Sequence, residues 1–306
     1  MIRRTAYLFL LSGLLTFWCR GSSLDSADMR ITILGTGTPY ADSQRYGSAV
    51  LVEAAGKKLL FDCGRGTVIR LSEIGVNASE IDTLFLTHLH SDHVVGLPDL
   101  WLTGWFLGRS KPLEIWGPLG TRNLTRHLAQ AFSFDVQSRT APPESLPVDG
   151  AKINTYEVKE GRIYDSGGIQ VIAFTVDHGT VKPAFGYLVV HAGHSVVISG
   201  DTRFSQNLVK FAKGTDCLIH VAWAAEPKNS TPPAQRSLAS AMDAARVFEL
   251  VKPRLAVIYH YRDDTGIAEQ IRYSYSGPFV IAKDKMSIVV GSVITWTNGT
   301  LSGSVK

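Results

Sequence analysis

This chain has few cysteines, little net charge and no basic run. Only 3 of its 306 residues are cysteine, charged residues make up 19%, and the formal net charge is +4. So few cysteines exclude a small scaffold held together by disulfides. Without a basic stripe interleaved with aromatic residues, the chain lacks the electrostatic support that nucleic-acid binding needs. Hydrophobic residues make up 45%, which is the composition of a globular protein with a substantial core.

The N-terminal residues have the pattern of a targeting segment. Arg3 and Arg4 precede an apolar stretch at residues 6–18, and small polar residues follow it. The stretch is shorter than the roughly 20 residues of a membrane span, and its flanks are typical of a secretory signal. We therefore predict a signal peptide at residues 1–23, a single domain at residues 24–306, and export to the periplasm or outside the cell (the secretory pathway in a eukaryote). An uncleaved membrane anchor is the alternative.

The remaining sequence predicts two strand-rich halves flanked by helices. Apolar alternation and short apolar runs predict strands at 29–34, 48–53, 58–61, 81–86, 112–116, 153–158, 169–176, 185–190, 195–199, 217–221, 254–259 and within 279–296. Apolar residues three or four apart predict helices at 67–74, 99–106, 121–132, 208–212 and 237–251. No linker rich in Pro, Gly or Ser separates the halves. The pattern indicates an α+β fold in which two mixed sheets pack face to face with helices outside.

Several residues in apolar surroundings are expected to pack in the core. Cys63 and Cys217 lie in strand-like runs, which favours two buried thiols over a disulfide. A group of aromatic residues lies close in sequence to the polar motif described next, namely Trp101, Trp105, Phe106 and Trp116. Core packing is the usual role of such residues, and an aryl-binding wall is the alternative.

The most informative motif follows the apolar strand predicted at residues 81–86. His88, His90, Asp92 and His93 place three imidazoles and a carboxylate within six positions. Imidazole and carboxylate are the ligand types that suit zinc at a catalytic site.

Three more polar residues share the position of this motif at the end of an apolar strand. They are His178, Asp201 and His260. One strand-end histidine is more often structural than a ligand. However, strand ends of a sandwich converge on one edge, where functional loops gather. The coincidence of four such positions indicates a shared metal site.

The spaced ligand set resembles that of the metallo-β-lactamase superfamily. Four further motifs, at residues 33–39, 62–67, 183–187 and 199–202, are similar to the ribonuclease Z branch, and most of all to its exported bacterial relatives, including the metallo-β-lactamase-type arylsulfatases. The resemblance covers nearly all of the chain after residue 23. It implies an αββα sandwich with two Zn²⁺ ions at its edge; Mn²⁺ or Fe²⁺ are alternatives.

The resemblance also implies roles for individual residues. The first ion would be bound by His88, His90 and His178, the second by Asp92, His93 and His260, with Asp201 bridging the two. Asp62 resembles the carboxylate that orients a ligand imidazole from outside the ligand shell.

The catalytic and substrate-binding assignments concern four residues. Asp92 and His220 are predicted to be catalytic, Asp92 by taking up the proton of the attacking water. Arg203 and Lys182 are candidates for binding the substrate anion, with a solvated surface charge as the alternative.

The chain departs from ribonuclease Z where that enzyme protonates the leaving group. It keeps His220 but has Val221 in place of a glutamate, and the position of a later histidine falls on Ser237 or Leu238. A phenolate needs little protonation to depart, whereas a ribose hydroxyl needs much more. The departures therefore weigh against RNA cleavage.

These features predict an exported two-zinc hydrolase of phosphodiester or aryl sulfate esters. Two cations roughly 3.5–4 Å apart lower the pKa of a water between them and stabilise an anionic oxygen of the substrate. We expect a small anionic ester as substrate, no nucleic-acid partner and no membrane contact beyond the signal segment; a homodimer is left open. The alternatives are a lactonase or other metal-dependent acyl hydrolase on the same site, and a degenerate metal-binding relative with little activity.

Overall fold

The computed structural model describes residues 27–226, 228, 231–299 and 301–306. The predicted signal peptide at residues 1–23 lies outside this part. Within it, none of the helices combines the length and apolar character needed to cross a bilayer.

The first sheet contains nine strands of mixed direction. Its strands, numbered in chain order over both sheets, are β1 Met29–Gly35, β2 Ala49–Ala54, β3 Lys57–Phe61, β4 Thr83–Phe85, β5 Leu113–Gly117, β6 Ile153–Glu157, β14 Met286–Val290, β15 Ile294–Asn298 and β16 Leu301–Val305. Their order across the sheet is β16-β15-β14-β1-β2-β3-β4-β5-β6. The strands from β16 to β3 pair antiparallel and those from β3 to β6 pair parallel.

The second sheet contains seven strands and faces the first. They are β7 Gly161–Ser166, β8 Ile169–Thr175, β9 Phe185–His191, β10 His194–Ile198, β11 Cys217–Val221, β12 Leu255–Tyr259 and β13 Phe279–Ile281. Their order is β13-β12-β11-β10-β9-β8-β7. Strands β10 to β13 pair parallel and β7 to β10 antiparallel. The predicted pair of mixed sheets is therefore confirmed.

Helices cover the outer faces of both sheets. They are α1 Thr67–Glu73, α2 Ser91–Val94, α3 Leu97–Phe106, α4 Thr121–Ala131, α5 Ser133–Thr140, α6 Gln206–Ala212, α7 Pro232–Gln235, α8 Ala241–Val251 and α9 Ile267–Ser274. The helix predicted from residue 237 begins only at Ala241. Ser240 and Asp243 form a capping box there, in which each side chain accepts the other's backbone N–H, and this fixes the helix start.

Apolar residues fill three layers, one between the sheets and one under the helices on each side. Ile219 and Phe85 belong to the layer between the sheets, whereas Leu218 and Leu84 face helices. Because both faces of the central strands are buried, their sequences are nearly continuous apolar runs.

The residues expected to pack in the core do so in most cases. Trp101 and Trp105 are fully buried, and Trp116 packs against the layer between the sheets, but Phe106 is 53% exposed. Cys63 and Cys217 are buried free thiols. Burial raises the pKa of both thiols well above its ordinary value, so neither is a reactive thiolate at neutral pH.

Candidate metal centre

Polar residues from four strand ends meet at one edge of the sandwich. The segment from His88 to His93 follows β4, while His178, Asp201 and His260 follow β8, β10 and β12. Strands β10, β11 and β12 run parallel, as do β3 and β4. Their C-terminal ends therefore deliver the side chains to a common edge.

A first group of ligand atoms gathers around His90. Its Nδ1 lies 3.0 Å from His88 Nε2 and 3.2 Å from His178 Nε2. Asp201 Oδ2 lies 3.9 Å and 3.8 Å from the same two Nε2 atoms. His90 is exposed and the other three are buried, so this group is reached from solvent on the His90 side.

A second group uses the other oxygen of Asp201. Its Oδ1 lies 3.5 Å from His93 Nε2 and 3.3 Å from His260 Nε2. Asp92 Oδ2 lies 3.6 Å from each of these nitrogens. Asp201 thus joins the two groups through one carboxylate.

The spacing and bonding of these atoms fit metal ions. Four ligands about 2.0–2.1 Å from a tetrahedral zinc are roughly 3.3 Å apart, close to the separations given above. Within the described residues, His93 Nε2, His260 Nε2 and Asp201 Oδ1 are buried without a hydrogen-bond partner. Leaving such a group unsatisfied costs about 1–3 kcal/mol. Cations among these atoms would remove that cost.

Backbone carbonyls set the tautomers of two ligand imidazoles. His178 Nδ1 donates to the carbonyl of Ser237, and His260 Nδ1 donates to that of Gly37, each at 2.8 Å. Because a carbonyl only accepts, Nδ1 carries the ring proton in both. The lone pair of the neutral ring therefore lies on Nε2, which faces the cluster.

Asp62 does the same for a third imidazole. Its Oδ2 lies 2.7 Å from His93 Nδ1 and accepts from Thr87 Oγ1 at 2.8 Å, while its Oδ1 accepts from the backbone N–H of Thr87 at 2.8 Å. Because the Thr87 hydroxyl gives its proton to Asp62, it accepts from His88 Nδ1, which lies 3.0 Å away. The predicted orienting carboxylate thus contacts His93 directly and His88 through Thr87.

A chain of contacts holds the carbonyl that His260 uses. Gly37 N donates to Tyr46 O at 2.7 Å, and Tyr46 N donates to Asp284 Oδ2 at 2.7 Å. Asp284 also forms a buried ion pair with Arg70, with 3.0 Å between Arg70 Nη2 and Oδ2. The loop after β1 is therefore fixed from the far end of the chain.

Burial and neighbouring charges shift the pKa values of the cluster residues in different directions. Burial and the neighbouring His93 hold the pKa of His88 well below its ordinary value. Burial would raise the pKa of Asp201, but His260 and His93 hold it well below the usual range. Burial likewise opposes charging of His93, yet Asp201 and Asp62 hold its pKa well above the ordinary value. The Asp201 carboxylate therefore stays charged and available to a cation.

Glycine allows the loop after β3 to press against the ligand segment. Cys63 N donates to His93 O at 2.8 Å, and Gly96 N donates to Cys63 O at 2.9 Å. A Cβ on Gly64 would lie 2.4 Å from Asp92 O, far inside van der Waals contact. This close backbone approach fixes α2 and its ligands.

His220 lies on the other face of its strand. Its neighbours Ile219 and Val221 face the space between the sheets, and the His220 ring lies 5.9 Å from the Phe248 ring of α8. Its Nδ1 donates to Val221 O at 2.6 Å. Burial lowers the pKa of His220 to about 4, so the ring is neutral at pH 7. The structure does not bring His220 to the ligand cluster.

Arg203 lies near the first ligand group, and Lys182 belongs to the exposed surface. Arg203 Nη2 lies 2.5 Å from Asp177 Oδ2, and this contact lowers the pKa of Asp177 against partial burial. Arg203 lines the groove beside His90. Lys182 is exposed and acts on Asp177 through its charge.

The structure adds an aromatic pair that the sequence analysis did not single out. The Trp223 ring lies 6.1 Å from that of His260 and 6.5 Å from that of Tyr40. Tyr40 is 52% exposed, and the Arg262 guanidinium stacks 4.7 Å over its ring. Trp223 lies just after the end of β11. It therefore shares the strand-end position from which the metal ligands were predicted.

Comparisons with known proteins agree with this site. A family model described as the anti-Pycsar protein Apyc1 matches residues 29–231. Ribonuclease Z of Mycolicibacterium gilvum (strain PYR-GCK) is 38% identical over 195 residues, which cover 63% of this chain and 68% of that protein. The short form of human tRNase Z is similar in structure, with a TM-score of 0.65 and 26% identity, covering 86% of this chain and 98% of that one. The metallo-β-lactamase fold protein YhfI of Bacillus subtilis has a TM-score of 0.68 at 18% identity, covering 86% and 100%.

The match to the family model covers well over half of the chain, and the match to ribonuclease Z exceeds two thirds of that relative. These two matches show the family, and the paired sheets and the His/Asp cluster at their edge agree with it. The chain belongs to the Apyc1 family in the ribonuclease Z-like branch of the metallo-β-lactamase fold superfamily, and it is a metal-dependent hydrolase of ester bonds.

Proposed function

We propose that the protein is an exported two-zinc hydrolase that cleaves small phosphodiesters, or aryl sulfates, with a good leaving group such as a phenolate. The observation that carries the proposal is the placement of Asp201. Its Oδ2 faces His88 and His178, and its Oδ1 faces His93 and His260. A carboxylate whose two oxygens face different groups of ligand atoms suits a site in which two ions would share one ligand.

The chemistry of the donors favours zinc over harder cations. Five of the seven ligand residues are histidines, and the other two are Asp92 and Asp201. Imidazole suits zinc, whereas sites rich in carboxylate and carbonyl oxygen suit magnesium or manganese.

The residues of the chain would orient the substrate and accept a proton. When bound, two adjacent cations lower the pKa of water and stabilise an anionic oxygen. Asp92 lies between His93 and His260 with its carboxylate mostly buried, and we assign it the proton released by the attacking water. Asp62 keeps His93 in the tautomer that this arrangement needs.

The positions that hold the proton donors of ribonuclease Z carry Val221 and either Ser237 or Leu238 in this chain. Val221 ends β11 and pairs with Tyr259, which directly precedes His260, and Leu238 packs with Trp223 in a small apolar cluster. The hydroxyl of Ser237 donates to Pro233 O and is engaged there. A leaving group that departs as a stable anion would not need a donor at these positions.

The aromatic pair beside His260 supports an aryl leaving group. The exposed Tyr40 offers a ring surface near the second ligand group, and the buried Trp223 lies between the two, with its ring 6.5 Å from that of Tyr40 and 6.1 Å from that of His260. Aromatic rings prefer offset or edge-to-face contact with other rings, worth about 0.5–1.5 kcal/mol beyond area burial.

Export is inferred from the sequence of residues 1–23, which lie outside the described residues. The preference for small esters over RNA rests on Val221 and Leu238, and on residues 118–177, which are mostly taken up by helices and strands of the domain.

A substrate panel on the zinc-loaded enzyme tests the proposal. We expect zinc at two ions per chain, and turnover of bis(p-nitrophenyl) phosphate or p-nitrophenyl sulfate well above that of a lactone or a chromogenic cephalosporin. His90→Ala should abolish it. A preference for the lactone would point to an acyl hydrolase, and two bound zinc ions without any turnover would point to a degenerate relative.

Substrates with different leaving groups test whether the enzyme protonates the departing oxygen. Across aryl methyl phosphates, rates should fall steeply as the pKa of the phenol rises, because no donor assists departure. Val221→Glu should raise the rates of poor leaving groups selectively, and Val221→Gln, of equal size but unable to supply such a proton, serves as the control. Equal slopes in all three proteins would remove the argument.

A further inference from the structure

A groove of about 560 Å³ opens beside the first ligand group. It is lined by His90, the segment 179–181, Arg203, Arg236 and Ser237. His90 is an exposed ligand, so the groove leads directly to the cluster. The aromatic pair lies beside His260, in the second ligand group, so arginines lie beside the first ligand group and aromatic rings beside the second.

Two arginines, Arg203 and Arg236, line the groove and give it a positive charge. Arg203 is paired with Asp177, the carboxylate closest to it. Arg236 is exposed, and within the part of the chain that the structure describes its side chain has no ion pair and no hydrogen bond. The charge of Arg203 is therefore largely compensated, whereas that of Arg236 is available to a ligand.

The backbone holds Arg236 at a fixed distance from the ligands. It follows α7 directly, and the next residue, Ser237, accepts the Nδ1 proton of His178 through its carbonyl. Arg236 O also lies so close to Gly179 that a Cβ there would be only 2.8 Å away. Arg203 is held similarly, because its N–H donates to Asp177 O at 2.8 Å. Both arginines thus belong to segments that contact metal-ligand loops.

We propose that this groove binds a second phosphate group of the substrate, carried on the part of the ester that is not the leaving group, with Arg236 as its specificity-determining residue. The inference rests on the proposed phosphodiester hydrolysis and names its substrate class: phosphodiesters with a further phosphoryl group. A guanidinium binds phosphate with two parallel N–H donors. The hydroxyl-bearing Thr180 lines the same groove and offers another donor.

Two matched p-nitrophenyl esters test the groove through turnover. One is p-nitrophenyl propyl phosphate, and the other carries an additional phosphate on the third carbon of the propyl group. Both release p-nitrophenolate, so only the second phosphate differs. We expect the wild type to have a KM about tenfold or more lower for the phosphorylated ester, as charge-assisted hydrogen bonds of this kind allow.

Variants assign the preference to the groove. Arg236→Gln should bring the ratio of the two KM values close to one, and Arg236→Lys should retain part of it because the charge remains but the paired donors do not. Arg126→Gln, on the exposed face of α4, is the control and should keep the wild-type ratio. Arg203 is not a useful variant, since its loss would leave Asp177 unpaired.

Binding measured by calorimetry separates this inference from the proposed function. Propane-1,3-diol bisphosphate should bind the zinc-loaded wild type about tenfold or more tightly than propyl phosphate, and Arg236→Gln should remove the difference. Selective binding without turnover would refute the ester hydrolysis but keep the groove. Equal affinities in the wild type, or a preference that survives Arg236→Gln, would overturn the groove.

Discussion

Asp62→Asn should weaken metal binding at the second ligand group while leaving the fold intact. Asp62 has a left-handed backbone with φ of 59°, which Asn tolerates well, so the substitution adds no backbone strain. The substitution instead changes the hydrogen-bond acceptors that the side chain of residue 62 offers. Asp62 accepts from Thr87 N, from Thr87 Oγ1 and from His93, but Asn has one acceptor oxygen and an NH₂ group that donates.

Either orientation of the new amide places a donor against a donor. With its NH₂ towards His93, the imidazole must give up its Nδ1 proton and carry the proton on Nε2, the atom that faces the cluster. With the amide reversed, the NH₂ meets the backbone N–H of Thr87. Loss of an orienting partner typically lowers metal affinity 10- to 100-fold, or about 1.4–2.7 kcal/mol.

Competition against a chromophoric zinc chelator measures this effect. We expect Asp62→Asn to retain its circular dichroism spectrum and one tight zinc, to bind the second zinc 10- to 100-fold more weakly, and to need added zinc for turnover. Asp165→Asn, on β7 and paired with Arg162, should match the wild type. Two tightly bound zinc ions in a folded Asp62→Asn protein would refute the tautomer argument.

Three further predictions follow from the same geometry. His220→Leu should keep kcat/KM. The pKa of buried His220 is about 4, against about 6.5 in the unfolded chain, so the wild type should lose up to about 3 kcal/mol of stability as the pH falls from 6.5 to 4. His220→Leu should not show this loss. If the melting temperature of His220→Leu fell with pH as steeply as that of the wild type, or if the variant lost activity, the prediction would be wrong. Gly64→Ala forces a Cβ against Asp92 O and should cost about 1–3 kcal/mol in denaturant unfolding; an unchanged midpoint would contradict the close approach. Removing metal with EDTA should abolish turnover, and zinc should restore more activity than manganese because imidazoles dominate the site; equal restoration would weaken the assignment of zinc.

The sequence alone predicted the paired sheets and the candidate ligands because each relies on local pattern. Strands buried on both faces are continuous apolar runs, and a polar residue that ends such a run stands out. His178 and Asp201 were found in this way. The short strand β7 (Gly161–Ser166) and helix α9 (Ile267–Ser274) were missed, because polar residues interrupt them and tertiary packing supplies their stability.

The misplacement of His220 has a simple physical cause. Residues on a strand alternate between its two faces, and Ile219 and Val221 face the space between the sheets, so His220 must face the helices. The alternation was hidden because both faces are apolar. Trp223 and Arg236 were missed for a different reason: their roles depend on which loops lie next to His260 and His178, and no local pattern specifies that.

The ion pair between Asp284 and Arg70 has a consequence for the order of folding. Thr36 N donates to Asp284 Oδ1 across 248 positions of the chain, and the same carboxylate holds the loop whose carbonyl accepts from His260. Contacts between such distant residues must close a long loop before they contribute stability. We therefore expect the site of the second ion to mature late, after the ribosome has released most of the chain. A protein shortened before Asp284 would keep all seven ligand residues and still hold its second metal poorly.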